Sequence, residues 1–291
     1  MKIHGIKNIF LLLLLVFTSQ ALVAATILFD YHKVLALKDK NRGFNMKDFF
    51  SKENIWEKVT ENPKGLFYYF YDMAQKPKDI DSSGGFYAAI ARKNGLTKLA
   101  ELTEKYSSDA YTPNRELIAL VEQLKAQGHT ILLASNLDPR LLYIEINKSM
   151  GSMGNELAST LFTDLIKGGL VVSYNQFRSP ADKTEVEGLL ADSLSGYKTT
   201  DSAKPNIKFF KDFLQLFASP AGDTYFVDDK LDNVKAAQKA GINAFHYKYE
   251  DDKTPDKINA TAQLKAIFTR EGLLGGEKQL NILTTISKPT L

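Results

Sequence analysis

The chain has 291 residues, 44% of them hydrophobic, enough to bury a full core and carry an inserted domain. Its 37 basic residues nearly balance its 34 acidic ones, so no nucleic-acid partner and no strongly charged membrane-binding face is expected. It has no cysteine, which excludes disulfides, thiolate zinc sites, a cysteine nucleophile and a lipid-modified cysteine.

At the amino terminus Lys2 and Lys7 precede an apolar run from Ile9 to Phe17, and small residues follow at Val23-Ala24-Ala25. This is the layout of a secretory signal peptide over residues 1–25, with cleavage expected after Ala25 and a periplasmic or secreted location. Apolar residues continue nearly to Phe29, so the alternative is an uncleaved anchor, which would make the membrane a partner. The Asn-x-Ser/Thr sequons at Asn147 and Asn259 matter only in a eukaryotic secretory route.

Thr26-Ile27-Leu28-Phe29 reads as a strand ending at Asp30. The character then changes. Phe49, Trp56 and Val59 lie at helical spacing, the aromatic run Phe67–Tyr71 follows, and Asp81-Ser82-Ser83-Gly84-Gly85 is a flexible break before a helical stretch from Phe86 to Lys93. Residues 41–111 are therefore expected to form a helical cap, with the aromatic run in its core, inserted into an α/β core of residues 26–40 and 112–270.

The core resumes with a helix capped near Asn114, buried through Leu117, Leu120, Val121 and Leu124 and ended by Gly128. A strand Thr130–Ala134 delivers Ser135-Asn136, and Asp138-Pro139 looks like a helix cap with proline in the first turn. A strand Leu170–Ser173 comes next, and residues 175–203 read as a polar surface insertion. Lys204-Pro205-Asn206 opens a helix with Ile207, Phe210, Phe213, Leu214 and Phe217 buried. Thr224–Val227 is an apolar strand ending in two adjacent acids, Asp228 and Asp229; a helix closed by Gly241 and a last strand Ile242–Tyr247 follow. His129 and His246, beside strand runs, read as structural. Residues 262–274 look helical, and 271–291 are treated as a tail. Strands alternating with helices imply a Rossmann-like α/β fold with a doubly wound, mainly parallel sheet.

Adjacent carboxylates repel, and capping of the next helix by Asp229 or Asp232 accounts for one acid of the group at most. A divalent cation accounts for the cluster, because hard cations collect carboxylate oxygens. With Asp30, Ser135, Lys204 and Asp228-Asp229 at strand and helix tips, the chemistry is coherent. A carboxylate can attack phosphorus while a hydroxyl and an ammonium hold the oxygens that gain charge.

In this order and spacing the chain resembles the haloacid dehalogenase superfamily of aspartate-nucleophile hydrolases, over most of residues 26–250. Phe226-Val227-Asp228-Asp229 with Asn233-Val234, Ala236-Ala237 and Gly241 resembles the last motif of the branch with a helical cap after the first strand. Lys204-Pro205 resembles the Lys-Pro motif and Ser135-Asn136 the Ser/Thr motif. The resemblance implies Asp30 as nucleophile and Mg²⁺ ligand, Ser135, Asn136 and Lys204 around the phosphoryl group, and Asp228 and Asp229 as further metal ligands. The first motif departs from the family's Asp-x-Asp-Gly pattern, with His32 and Lys33 in place of the second Asp and the Gly. His32 is then the candidate proton donor and contributes to the metal through its backbone carbonyl. The expected activity is Mg²⁺-dependent hydrolysis of a small phosphorylated molecule through an aspartyl-phosphate. Two alternatives stand beside it, a non-catalytic binding protein of the same fold and a halide-releasing enzyme.

Overall fold

The computed structural model describes residues 24–38, 62–74, 84–109, 111–146, 165–248 and 259–275. The leader as far as Val23, the expected cap positions Phe49, Trp56 and Val59, Asp81 to Ser83, the sequon at Asn147 and the chain beyond Gly275 lie outside them. Among the described residues no helix is long and apolar enough to cross a membrane.

Six strands build one parallel sheet: β1 (Thr26–Phe29), β4 (Thr130–Ala134), β5 (Gly169–Val172), β6 (Tyr197–Thr200), β7 (Thr224–Asp228) and β8 (Asn243–His246), in the spatial order β6-β5-β4-β1-β7-β8. This is the expected Rossmann-like α/β sheet. Phe29 lies beside Leu133 on one side and Val227 on the other, so β1 is central. Side chains alternate between two cores, as period-two geometry requires. Ile27, Phe29, Ile131, Leu133, Val171 and Val227 enter one; Leu28, Ala134, Leu170, Val172 and Phe226 enter the other. Both faces are covered by helices, which is why the strands are nearly continuous apolar runs.

The first face is packed by α4 (Arg115–Ala126) and α9 (Ala260–Arg270), the second by α7 (Ile207–Leu216) and α8 (Leu231–Lys239). Asn114 caps α4 by accepting from Leu117 N, and Gly128 follows with φ 87°, a conformation suited to glycine. Asp138 caps the short α5 (Pro139–Ile144), with Pro139 in its first turn. The chain leaves the sheet through β2 (Ala36–Lys38) and returns through β3 (Tyr111–Pro113), two short antiparallel strands the sequence did not signal. Between them lie α1 (Pro63–Ala74), α2 (Gly84–Lys93) and α3 (Thr97–Asp109).

Two expectations are corrected. Residues 175–203 are not a surface insertion, because they hold α6 (Pro180–Ala191) and the edge strand β6 of the main sheet. An edge strand has a partner on one side only, and Tyr197-Lys198-Thr199-Thr200 is accordingly polar. The aromatic run is not cap core either. Within the run only Tyr69 is buried, on the same face as Gly65, while Phe67, Tyr68, Phe70 and Tyr71 are exposed, since a helical period turns most successive side chains away from a single packing face.

Candidate active site

The strand order reverses between β1 and β7, and open α/β sheets hold their ligands beyond the carboxyl ends of the strands at such a point. Asp30 follows β1 directly, its N–H donating to Val227 O (2.9 Å), and Asp228 ends β7. The two acids therefore emerge side by side.

Between them lies the Lys204 ammonium. Its Nζ is 2.9 Å from Asp30 Oδ1 and donates to Asp228 Oδ2 (2.7 Å) and Ala134 O (2.8 Å). Lys204 and Asp228 are buried and Asp30 is 8% exposed. The remaining partners fix the carboxylates. Tyr31 N donates to Asp30 Oδ1 (2.8 Å), while Lys230 N and Asn233 Nδ2 donate to Asp228 Oδ1 at 2.8 and 2.9 Å. Asp229 is partly buried, with the half-exposed Lys33 ammonium 3.7 Å from its Oδ2. Its carbonyl meets His246 Nε2 at 2.8 Å, so that histidine supports the loop of the acidic pair.

Burial pushes the Asp228 carboxyl up to about 6; the Lys204 ammonium opposes the rise and the Asp30 charge adds to it. Asp229 is raised too, by burial and by Asp30, against Lys33, Lys230 and Lys204. Burial alone would lower Lys204, but Asp228 and Asp30 outweigh it, so the ammonium stays charged. One buried ammonium thus faces three acids, and oxygen atoms of Asp30, Asp228 and Asp229 all lie within 4.8 Å of one another. An excess of negative charge on a set of hard oxygen donors fits Mg²⁺.

No family model matches the chain. Its sequence is similar to that of a sesquiterpene phosphatase of Aspergillus oryzae, 28% identical over 136 residues, which span 38% of this chain and 67% of that protein. Among solved structures it is similar to a HAD-family enzyme of Bacteroides thetaiotaomicron solved with magnesium and inorganic phosphate, at 16% identity and a TM-score of 0.46, covering 79% of this chain and 97% of that one. It is also similar to a HAD-like family hydrolase of Porphyromonas gingivalis, at 16% identity and a TM-score of 0.44, with 83% and 98% covered. An L-2-haloacid dehalogenase is similar at 16% identity and a TM-score of 0.43, with 84% and 99% covered. The fold itself follows from the strand order.

Of the residues singled out from the sequence, Asp30, Lys204, Asp228 and Asp229 converge directly. Ser135 lies buried just beyond β4, next to the Ala134 carbonyl that Lys204 contacts, and its Oγ accepts weakly from Leu137 N (3.4 Å). Asn136, expected at the phosphoryl group, applies its amide to Lys204 instead. Its Nδ2 donates to Lys204 O (3.0 Å) and its Oδ1 accepts from Lys204 N (2.8 Å), which makes it a positioning residue.

The His32 ring lies outside the carboxylate cluster. Nε2 is 3.0 Å from Glu145 Oε1, and the imidazole stacks on Tyr111 with centroids 3.8 Å apart. Glu145 is completely buried and also hydrogen-bonds the side chain of Tyr31, whose hydroxyl burial holds well above its ordinary pKa. Sequence reasoning missed Glu145, because an acid ending the helical run Leu141-Leu142-Tyr143-Ile144 looks like a solvated surface residue. Lys33 has φ 64°, a left-handed conformation that glycine adopts freely.

Proposed function

We propose that the chain is an exported, Mg²⁺-dependent phosphohydrolase of the haloacid dehalogenase type, acting on a small phosphorylated molecule through an aspartyl-phosphate at Asp30. The observation that carries this reading is the Lys204 ammonium locked between Asp30 and Asp228. It holds Asp30 Oδ1 in place and presents positive charge to an incoming phosphoryl group. Among the described residues both contacts to the Asp30 carboxylate fall on Oδ1, so Oδ2 is the attacking oxygen. The phosphatase identity of the Aspergillus relative supports phosphate rather than halide chemistry, as does the triple carboxylate set.

Asp30, Asp228 and Asp229, with the His32 carbonyl, would hold Mg²⁺. When bound it supplies charge neutralisation between the carboxylates and the phosphoryl oxygens. In the first step Asp30 Oδ2 bonds to phosphorus as the ester P–O bond breaks, and the departing oxygen takes a proton from His32. In the second, water adds to phosphorus and gives a proton back to His32, the Asp30–phosphorus bond breaks, and inorganic phosphate leaves. Lys204 and the Ser135 hydroxyl hold the phosphoryl oxygens throughout.

The test is phosphate release from an aryl phosphate and a metabolite panel, with and without Mg²⁺, by the parent and by Asp30→Asn. Release that needs Mg²⁺ and falls by roughly a thousandfold or more without the nucleophile is expected; release by Asp30→Asn at the parent rate would refute the mechanism. The engagement of His32 by Glu145 and Tyr111 favours a second reading, a non-catalytic protein that binds phosphate compounds at the same site. Mg²⁺ and phosphate binding without turnover would select it.

A further inference from the structure

The leader was expected to end after Ala25, but Ala25 is built into the folded core. It is 4% exposed and packs in the cluster that holds Ile27, Phe29 and Leu273. Its N–H donates to His129 Nδ1 (3.1 Å), and its carbonyl accepts from Thr130 N (2.9 Å), the first residue of β4. His129 is itself buried and completes the link, its Nε2 donating to the Leu273 carbonyl (2.7 Å) beyond α9. Ala25 thus joins the start of β1, the start of β4 and the turn after α9.

A cut after Ala25 would undo this joint. His129 Nδ1 would lose its donor, and Thr130 N its acceptor. A charged α-ammonium would then sit on Thr26, the first residue of a strand flanked by both β4 and β7. Unpaired polar groups and a charge at a packed strand end are destabilising. A cut after Ala24 meets a different obstacle, because Leu22 would occupy the position three residues before the cut, where a small side chain is required. One further small-x-small triplet lies upstream. Ser19-Gln20-Ala21 follows the apolar run that ends at Phe17, with only Thr18 between.

Resting on the export reading above, we propose that the leader is removed after Ala21, so that the mature chain begins at Leu22 and retains Ala25. The spacer Leu22-Val23-Ala24 then separates the new ammonium from the His129 joint.

The full chain is expressed in a secreting bacterial host, the cells are fractionated, and the exported protein is examined by intact mass and amino-terminal sequencing. Leu22 is the expected first residue, and Ala21→Tyr is expected to leave the precursor uncut. A mature terminus at Thr26 or elsewhere, an uncut exported chain, or a chain that is not exported would each overturn the proposal. The structural premise is checked separately on purified chains beginning at Leu22 and at Thr26. The shorter one is expected to melt lower by roughly 5 °C or more, from two lost hydrogen bonds and one buried side chain; equal melting would refute the role given to Ala25. Neither readout involves phosphate release, so the outcome is independent of whether the phosphatase reading holds.

Discussion

Lys204→Met isolates the interaction on which the candidate site depends. The ammonium, with 1% of its side chain exposed, sits between Asp30 and Asp228 at 2.9 and 2.7 Å and also donates to Ala134 O. Methionine fills a similar volume without the charge and leaves two neighbouring carboxylates uncompensated. Removing one partner of a buried ion pair costs about 3–5 kcal/mol, or roughly 6–20 °C in Tm for a protein of this size. The loss should depend on pH. Burial already raises Asp228 to about 6, and Lys204 is the group that opposes the rise, so the variant's carboxyl lies higher still. A group whose folded pKa exceeds its unfolded one binds more protons when folded, and stability falls as pH rises through the folded value. Urea unfolding of metal-free parent and variant at pH 5 and pH 8 should therefore show the larger deficit at pH 8. A deficit under about 1 kcal/mol at pH 8 would refute the arrangement, since two bare carboxylates at this depth cannot be neutral in effect.

The same raised carboxyl sets the pH dependence of cation binding. Mg²⁺ requires ionised Asp228, so its stabilisation of the parent in thermal melts, present at pH 8, should fade as pH drops below about 6; a gain that persists at pH 5 would contradict the assignment of Asp228 as a ligand. Arg178, with 1% of its side chain exposed, pairs with Asp138 Oδ1 (3.0 Å) and Asp182 Oδ2 (2.8 Å) and donates to Ser173 O (2.9 Å). Arg178→Met should cost about 3–5 kcal/mol in urea unfolding by stranding two buried acids. Lys33→Gly should be neutral or stabilising by up to about 1 kcal/mol, as it relieves a left-handed backbone and loses only a half-exposed pair with Asp229.

The strands that could be read from the sequence were those that carry an apolar run, the edge strand β8 among them. Thr130–Ala134 was found to the residue, and Thr224–Asp228 with its acids was unmistakable, because an apolar run broken by carboxylates has few other meanings. Strand β6 was hidden by its polar sequence Tyr197-Lys198-Thr199-Thr200, and α6 by a sequence that marks its start only with Ser179-Pro180 and buries little beyond Asp182 and Val186. Asp30, Asp228 and Asp229 were legible for the same reason as their strands, each standing where one ends, and Lys204 by the Pro205 and the apolar-faced helix that follow it. Glu145 and the duty of Asn136 were not, since both depend on which residue lies opposite across more than sixty positions of chain.

The route of Lys204 to the site explains why Asn136 is placed where it is. Asp30 and Asp228 leave neighbouring strands, so the sheet register alone brings them together. Lys204 comes instead from the loop after β6, at the far edge, with β5 and β4 between that strand and β1. No ladder bond fixes such a loop at the switch point. The paired bonds from the Asn136 amide to the Lys204 backbone supply that constraint, and Tyr174 anchors Asn136 in turn by donating its hydroxyl to the Asn136 carbonyl (2.9 Å). Ser202, Ala203 and Lys204 are all buried along this path, so the loop is packed rather than draped over the surface. The ammonium is therefore positioned through β4 and not through its own strand. The residue after Ser135 thus acts on the candidate site indirectly, by holding the ammonium that Asp30 and Asp228 share.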